Sequence, residues 1–426
     1  MRSTDARLAV FFLLPIIFGF FQNFFFLLIN FYFDPSKYFL VLKDFYIILV
    51  CLLGSFYCYF LRREGLGRYS ILLLIFILIL SYYLFVSIFL GVYIESFRQI
   101  LILPLALIYG EIFSSSSRSD GLVKKIENIL VPVLIFLIIS GYVELFFLHD
   151  ATESFWSMMN FKDLLSVKGM DKWAYGVGGV LGNFYSYDLI SFFDRSVRRM
   201  VSLFIIEPTI FGHIASFLMV YAFVSKRFLL FILSSLAVLL TISKGGVLVF
   251  FLSVIIYNFK NNNLTKLRKI IINTFTIAIF SALVFSLLYL AFSGKINSVY
   301  VRIESYINIF LSLIEYPFGQ GIGSSGNYGN LYGTNKFNIS ESYFGAMVGQ
   351  IGIFAIFLYV SFFYYFIKTK IRNLNGFLIS VYLVSFSTLV VSFFTESSLT
   401  YSGTFFLYAL LPFINKKNRE SIYIND

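Results

Sequence analysis

Three cations far apart in the chain, Arg199, Lys244 and Arg302, each stand where a long apolar segment meets a polar stretch. Arginine offers a planar fork of N–H donors and lysine a compact point charge, so three of them aimed at one spot can neutralise a diphosphate. At an effective dielectric near 20, one unit-charge contact at about 4 Å is worth roughly 4 kcal/mol before desolvation. A single boundary cation more simply snorkels to lipid headgroups, so it is convergence that would point to a ligand. After Arg302 comes a second feature, Pro317-Phe318-Gly319-Gln320-Gly321-Ile322-Gly323-Ser324-Ser325-Gly326. Its Gly321-x-Gly323-x-x-Gly326 spacing matches the dinucleotide fingerprint by letter. That fingerprint needs a strand–turn–helix setting, and this segment lies between apolar spans, so nicotinamide and flavin binding are rejected. What survives is the physics of the glycines: positive φ, with successive N–H groups able to form an anion-binding nest, or else a merely flexible turn.

Carboxylates provide the other half of a possible chemistry. Glu341 stands just before an apolar run, where a negative charge is favoured by the helix dipole and where it can either cap the helix or take the proton of a sugar hydroxyl. Ser342 beside it, Ser243 before Lys244, and Glu207 ahead of Pro208 are further polar groups of possible acceptor-binding or structural use. Glu396 belongs with Glu207 as a carboxylate at low-dielectric depth, where paired structural charge is the plain reading. Gly345, Gly349 and Gly352 follow Glu341 at a spacing that suits close helix packing. The two histidines, His149 and His213, have no carboxylate cluster at ligand spacing, and the two cysteines, Cys51 and Cys58, lie in one apolar segment. No metal site, disulfide framework or cofactor is therefore expected. Neither a Gly-x-Ser-x-Gly elbow nor a Walker-type lysine loop is present, which argues against hydrolases of that type and nucleotide-driven transport.

The elements that must position these groups follow from composition. Of the 426 residues 59% are hydrophobic and 13% charged, and the mean hydropathy is +0.85. Soluble domains carry roughly 45–50% apolar and about 25% charged residues, so the chain reads as an all-α polytopic membrane protein. About twelve spans are expected, near 9–32, 44–61, 69–91, 97–113, 127–148, 200–224, 228–242, 245–259, 270–292, 343–367, 376–394 and 399–415. The spans near 228–242 and 245–259 meet in a tight turn at Thr241-Ile242-Ser243-Lys244-Gly245-Gly246. With the N-terminus inside, 20 of the 33 Lys and Arg fall in inner loops, so both termini are expected in the cytoplasm. The net charge of +11 is then mainly an orientation signal, and nucleic acid is not an expected partner. Two long outer loops, 149–199 and 293–342, are left without strong periodicity and hold most of the candidate residues.

The stretch Arg199-Met200-Val201-Ser202-Leu203-Phe204-Ile205-Ile206-Glu207-Pro208-Thr209-Ile210-Phe211-Gly212 resembles the Arg-x-x-Gly/Ser-x-Phe-x-x-Asn-Pro-x-x-x-Gly signature of O-antigen polymerases (Wzy) and the related ligases. Thr241-Ile242-Ser243-Lys244-Gly245 is similar to their Thr-x-Ser-Arg/Lys-Gly turn. Arg302 with Pro317-Phe318-Gly319-Gln320-Gly321-Ile322-Gly323 resembles their Arg and Pro-x-Gly-x-Gly loop. Ser340-Glu341-Ser342-Tyr343 running to Gly349-Gln350-Ile351-Gly352 resembles the segment that opens the next helix. Together these pieces cover roughly 195–355. Where ligases of this superfamily place a histidine, this chain has Glu341, and Glu207 stands where asparagine is usual, which favours a polymerase.

The resemblance implies a metal-independent integral membrane glycosyltransferase of GT-C-like architecture in the bacterial inner membrane, with its active site on the periplasmic side. It would move a growing glycan from undecaprenyl pyrophosphate to the non-reducing end of a second lipid-linked repeat unit. Arg199, Lys244 and Arg302 would hold the donor diphosphate, with the loop through Gly319, Gly321 and Gly323 adding N–H donors and Glu341 receiving the acceptor proton. Neighbouring cations keep a carboxylate ionised and make it a weaker acceptor, so taking the proton and merely orienting the hydroxyl both stay open. The implied partners are the lipid-linked donor and acceptor, membrane lipid and a chain-length regulator. The rivals are a ligase passing glycan to lipid A core, and a flippase, for which inverted repeats would be expected.

Overall fold

The computed structural model describes residues 2–32, 46–51, 94–116, 119–148, 185–186, 197–260, 297–326, 336–337, 339, 342–369, 371 and 374–423, with isolated helical positions between 274 and 289. The expected spans 69–91 and most of 44–61 and 270–292 lie outside the described residues, as do most of the first long loop, His149 and Cys58.

The described chain is helical. Its helices are α1 (Arg2–Tyr32), α2 (Ile94–Ser116), α3 (Ser119–Val143, continuing into a π turn at Glu144–Leu148), α4 (Pro208–Val224), α5 (Phe228–Leu240), α6 (Lys244–Lys260), α7 (Asn297–Glu315), α8 (Tyr343–Ile351), α9 (Ile353–Lys368), α10 (Gly376–Val391) and α11 (Tyr401–Tyr423). A 3₁₀ turn, Glu396–Ser398, joins α10 to α11. The one extended pairing among the described residues is antiparallel, between Tyr185–Ser186 and Val197–Arg198.

Helix α4 is the axis of the bundle. It is apolar on every side and touches α3, α5, α6, α10 and α11, as a helix must when no face is left for a polar solvent. Helices α2 and α11 pack closely, a Cβ placed on Gly110 lying 1.9 Å from the Ala409 carbonyl oxygen. Prolines sit inside four helices, at 15, 104, 132 and 412, a use of proline more frequent in membrane helices than in soluble ones. The outer sides of the helices are apolar too, with Phe136, Ile139, Leu229, Leu239, Phe357 and Val360 exposed. Two stretches, Asp5–Phe25 and Gly121–Leu148, are long and apolar enough to cross a bilayer by length and composition.

The contacts among the described helices sort by end. At one end Lys416 donates to the Ser114 carbonyl, and Lys260 donates to the carbonyls of Phe366 and Thr369. At the other end lie the Arg199 segment, the 241–244 turn, Ser342 and Glu396.

Three expectations need correction. The span placed at 200–224 begins only at Pro208, because residues 199–207 are extended or bent and proline enters naturally at the first helical position. The span placed at 343–367 is two helices, broken at Gly352, whose φ of +59° ends α8. The second long loop is not aperiodic, since α7 occupies Asn297–Glu315.

Candidate functional site

The first two candidate cations arrive at one turn. The extended segment before α4 lies along the end of α5, with the Met200 N–H donating to the Leu240 carbonyl at 2.8 Å and Arg199 Nε to that of Thr241 at 3.0 Å. These are carbonyls that a helix C-terminus leaves without intrahelical partners, and a cation there is also favoured by the dipole. The chain then reverses through Ile242 at φ +51° and starts α6 at Lys244. Ser243 caps α6, its Oγ accepting the Gly246 N–H at 3.2 Å, and it is buried. Its role in the structure is therefore the structural one of the two considered.

Glycines let this turn press into α4. A Cβ on Gly212 would lie 2.4 Å from Ser243 Cβ, and one on Gly246 would lie 2.9 Å from the Gly212 carbonyl oxygen. Ser216 Oγ donates to the carbonyls of both Gly212 and Gly246, at 2.7 and 2.8 Å. His213, fully enclosed, stands against Gly245. The spacing of Gly212, Ser216, Ser243 and Gly246 is thus a packing requirement of the corner that carries Arg199 and Lys244. Glu207 occupies the N-cap position of α4, but its side chain makes no cap hydrogen bond.

The third cation-bearing element reaches the same region through the end of α10. Val391 lies against Gly245, at 3.5 Å from a Cβ placed there. One residue on, the Ser392 carbonyl accepts the Phe344 N–H at 3.2 Å, bringing in the start of α8. The next carbonyl, Phe393, accepts the hydroxyl of Tyr306 on α7. Position 302 lies one turn before Tyr306 on the same helix, and Ile309 of that helix stands against Gly345 of α8. The described part of this site thus groups the Arg199–Lys244 corner, α7 and the α8 N-terminus around one helix end. Glu341 lies outside the described residues.

The glycine loop behaves differently from a nest. Gly319, Gly321, Gly323 and Gly326 all have positive φ, between +83° and +100°. Their N–H groups, however, are used within the protein. Gly319 donates to the Tyr316 carbonyl at 2.9 Å, Gly321 to that of Gln350 at 3.0 Å, Gly323 to Gln350 Oε1 at 3.1 Å and Gly326 to the Ile339 carbonyl at 2.9 Å. The Gln320 N–H takes the Gly349 carbonyl at 2.9 Å, and the Ile353 N–H returns a bond to Pro317. The break at Gly352 frees carbonyls at the end of α8, and the loop satisfies them, as irregular backbone in an apolar setting must. The assignment of Gly319, Gly321 and Gly323 as diphosphate donors is therefore replaced by a structural one. Gln350, buried and bonded to both Gly323 and the Ser325 carbonyl, is the residue that locks the loop from inside.

Ser342, not Glu341, caps α8, its Oγ accepting the Gly345 N–H at 3.0 Å. Ser342→Ala should lower stability by about 1 kcal/mol, read as a fall in thermal midpoint of the detergent-solubilised protein.

Two buried carboxylates carry less sequence signal. Glu144, fully buried in the π turn, accepts from Arg198 at 2.5 Å, and Arg198 also lies over the Tyr185 ring. Glu396, at the start of the 3₁₀ turn, accepts from Gln99 Nε2 at 3.2 Å and closes on Gly326, whose Cβ would stand 3.0 Å from Glu396 Oε1. Each joins segments that no spacing connects, 54 and 297 residues apart. Among the described residues no group of histidine, cysteine and carboxylate side chains has the arrangement of a metal site. The chain matches no known family model, no characterised protein and no solved structure.

Proposed function

We propose that the chain is a polysaccharide repeat-unit polymerase with about twelve membrane spans and GT-C-like architecture, embedded in the bacterial inner membrane with both termini cytoplasmic. In this reading the end of the bundle that gathers Arg199, Lys244 and α7 faces the periplasm. The donor is a glycan on undecaprenyl pyrophosphate, and the acceptor is a second lipid-linked repeat unit. The acceptor hydroxyl oxygen bonds to the donor's anomeric carbon, the bond from that carbon to the diphosphate breaks, and the hydroxyl proton passes to a carboxylate, for which Glu341 is the candidate. Negative charge grows on the leaving diphosphate, so fixed cations aimed there stabilise the transition state more than the ground state.

One observation carries the reading. Segments bearing three cations, separated by dozens of residues, are grouped around the end of α10, on a bundle whose outer sides are apolar. The test is elongation of purified lipid-linked repeat units by the purified protein in proteoliposomes, followed by gel separation of the lipid-linked products. A ladder of longer glycans is expected, unchanged by a chelator. Repeat units recovered unaltered by a correctly folded protein would refute the proposal.

A further inference from the structure

We infer that α7 is an interfacial helix embedded in the outer leaflet of the bilayer, its apolar face in contact with acyl chains, although its flanks read as an aqueous loop. The helix is divided into three stripes. Toward the protein it presents Ser305, Ile309 and Ser312, 1%, 4% and 0% exposed. On the opposite side stand Ile307, Phe310 and Ile314, 58%, 66% and 81% exposed, with Leu311 beside them. Between these runs a polar edge of Glu304, Asn308 and Glu315.

A helix on a water-facing surface does the reverse, burying its apolar face and exposing the polar one. Here small hydroxyls face the protein, with Ser312 Oγ accepting from Gln320 Nε2 at 3.1 Å, and the largest apolar side chains face out. One face for protein, one for hydrocarbon and one for water is what a helix lying in the membrane interface requires. The occupant of the apolar face follows from continuity. Phe318, just beyond α7, meets Phe354 of α9 with ring centroids 6.2 Å apart. From there the exposed Phe357, Val360, Tyr364 and Ile367 carry the apolar surface down the side of α9. Whatever bathes the side of the bundle therefore bathes α7, and for a polytopic membrane chain that is lipid.

The placement bears on the proposed chemistry. A helix at this depth holds position 302 and Tyr306 at the level of lipid headgroups, where the diphosphate of a lipid-linked donor lies. That last step rests on the polymerase reading; the depth of α7 rests only on the part of that reading that embeds the chain in a bilayer.

Site-directed spin labelling tests the inference on the full chain in phosphatidylcholine/phosphatidylglycerol nanodiscs. On a Cys51→Ser/Cys58→Ser background, single cysteines at 304, 307, 308, 310, 311, 314 and 315 are labelled, and those melting like the parent are scored for collision with oxygen and with a water-soluble nickel chelate. Oxygen access should peak at 307, 310 and 314 and nickel access at 304, 308 and 315. The oxygen-to-nickel ratio should be on the order of tenfold higher at 310 than at 304, as expected for a helix half sunk in hydrocarbon. High nickel access at 310 and 314 would overturn the inference in favour of an aqueous loop. Low access to both reagents there, with spin–spin broadening that fades on dilution with unlabelled protein, would overturn it in favour of a second copy. A label at Phe136 on α3 reports bilayer insertion separately. Lipid exposure at 136 with an aqueous α7 defeats only this inference, whereas failure of glycan elongation defeats only the polymerase.

Discussion

Gly352→Ala should be among the most destabilising single substitutions in the chain, and the loss should appear before any chemistry is measured. Gly352 closes α8 and opens α9 at φ +59° and ψ −133°, a region in which side chains with a Cβ cost about 1–3 kcal/mol. Backbone strain is only part of the effect. The new Cβ would lie 2.1 Å from the Pro317 carbonyl oxygen and 2.5 Å from the Gly319 nitrogen, and backbone atoms cannot step aside as a flexible side chain can. Opening that contact breaks the bond from the Ile353 N–H to Pro317 and loosens those from Gln320 and Gly321 to the end of α8. Each group left unsatisfied in an apolar setting costs about 1–3 kcal/mol more, so a total above about 4 kcal/mol is expected. Thermal melting in detergent and yield from the membrane both read this. Gly349→Ala is the comparison: its Cβ would meet the buried Ser325 side chain, Oγ at 2.4 Å and Cβ at 2.7 Å, so it too should lower the melting point, but by less, because position 349 carries no positive φ and its nearest clashes are with side-chain atoms. If Gly352→Ala melts within a degree or so of the parent, the clamp between loop and helix break is not as described.

The difference between those two glycines also marks how far the sequence could be read. The apolar spans, the turn at 241–244 and the need for positive φ in the glycine loop follow from local composition, because each is satisfied within a few residues. What the loop's N–H groups bond to is set by the break at Gly352, some 30 residues away, and inside a run that hydropathy reads as one continuous span. Ser342 and Glu341 are adjacent, and both residue types favour a helix N-terminus; only the exact start of α8 decides that the serine is the cap. The pairs Glu144–Arg198 and Gln99–Glu396 depend on which helices become neighbours, which periodicity does not encode. Helix α7 escapes a hydropathy reading for a related reason. Its apolar residues recur at helical spacing, but the stretch is too polar to count as a span, and the inward face carries serines instead of a core pattern. The convergence of Arg199 and Lys244 could be anticipated from sidedness, whereas the bond from Arg199 to Thr241 that fixes it could not.

Replacing Arg199, Lys244 and Arg302 together by alanine should lower glycan elongation by about 10²–10³-fold, measured on the correctly inserted fraction. Removing one preorganised charge-stabilising donor from an active site typically lowers the rate about 10²–10³-fold. Groups that act as a unit are not additive, so the triple variant should be little worse than the worst single one. Arg199 needs separate treatment because it also holds the end of α5. Its Nε bond to the Thr241 carbonyl at 3.0 Å is charge-assisted, and such bonds contribute about 1.5–3 kcal/mol. Arg199→Ala therefore risks confusing a loosened corner with a lost ligand. Arg199→Lys separates the two: it retains the positive charge but gives up the planar fork. If charge on the diphosphate is what matters, the lysine variant should elongate faster than the alanine variant even when both are matched for folded fraction. If the corner is what matters, both should lose activity in step with their melting temperatures. Lys244→Ala leaves the α6 cap in place, since Ser243 provides it, and it should lower the rate when compared with the parent at matched folded fraction. Normal elongation by a correctly inserted triple variant would remove the diphosphate-binding role of these residues altogether.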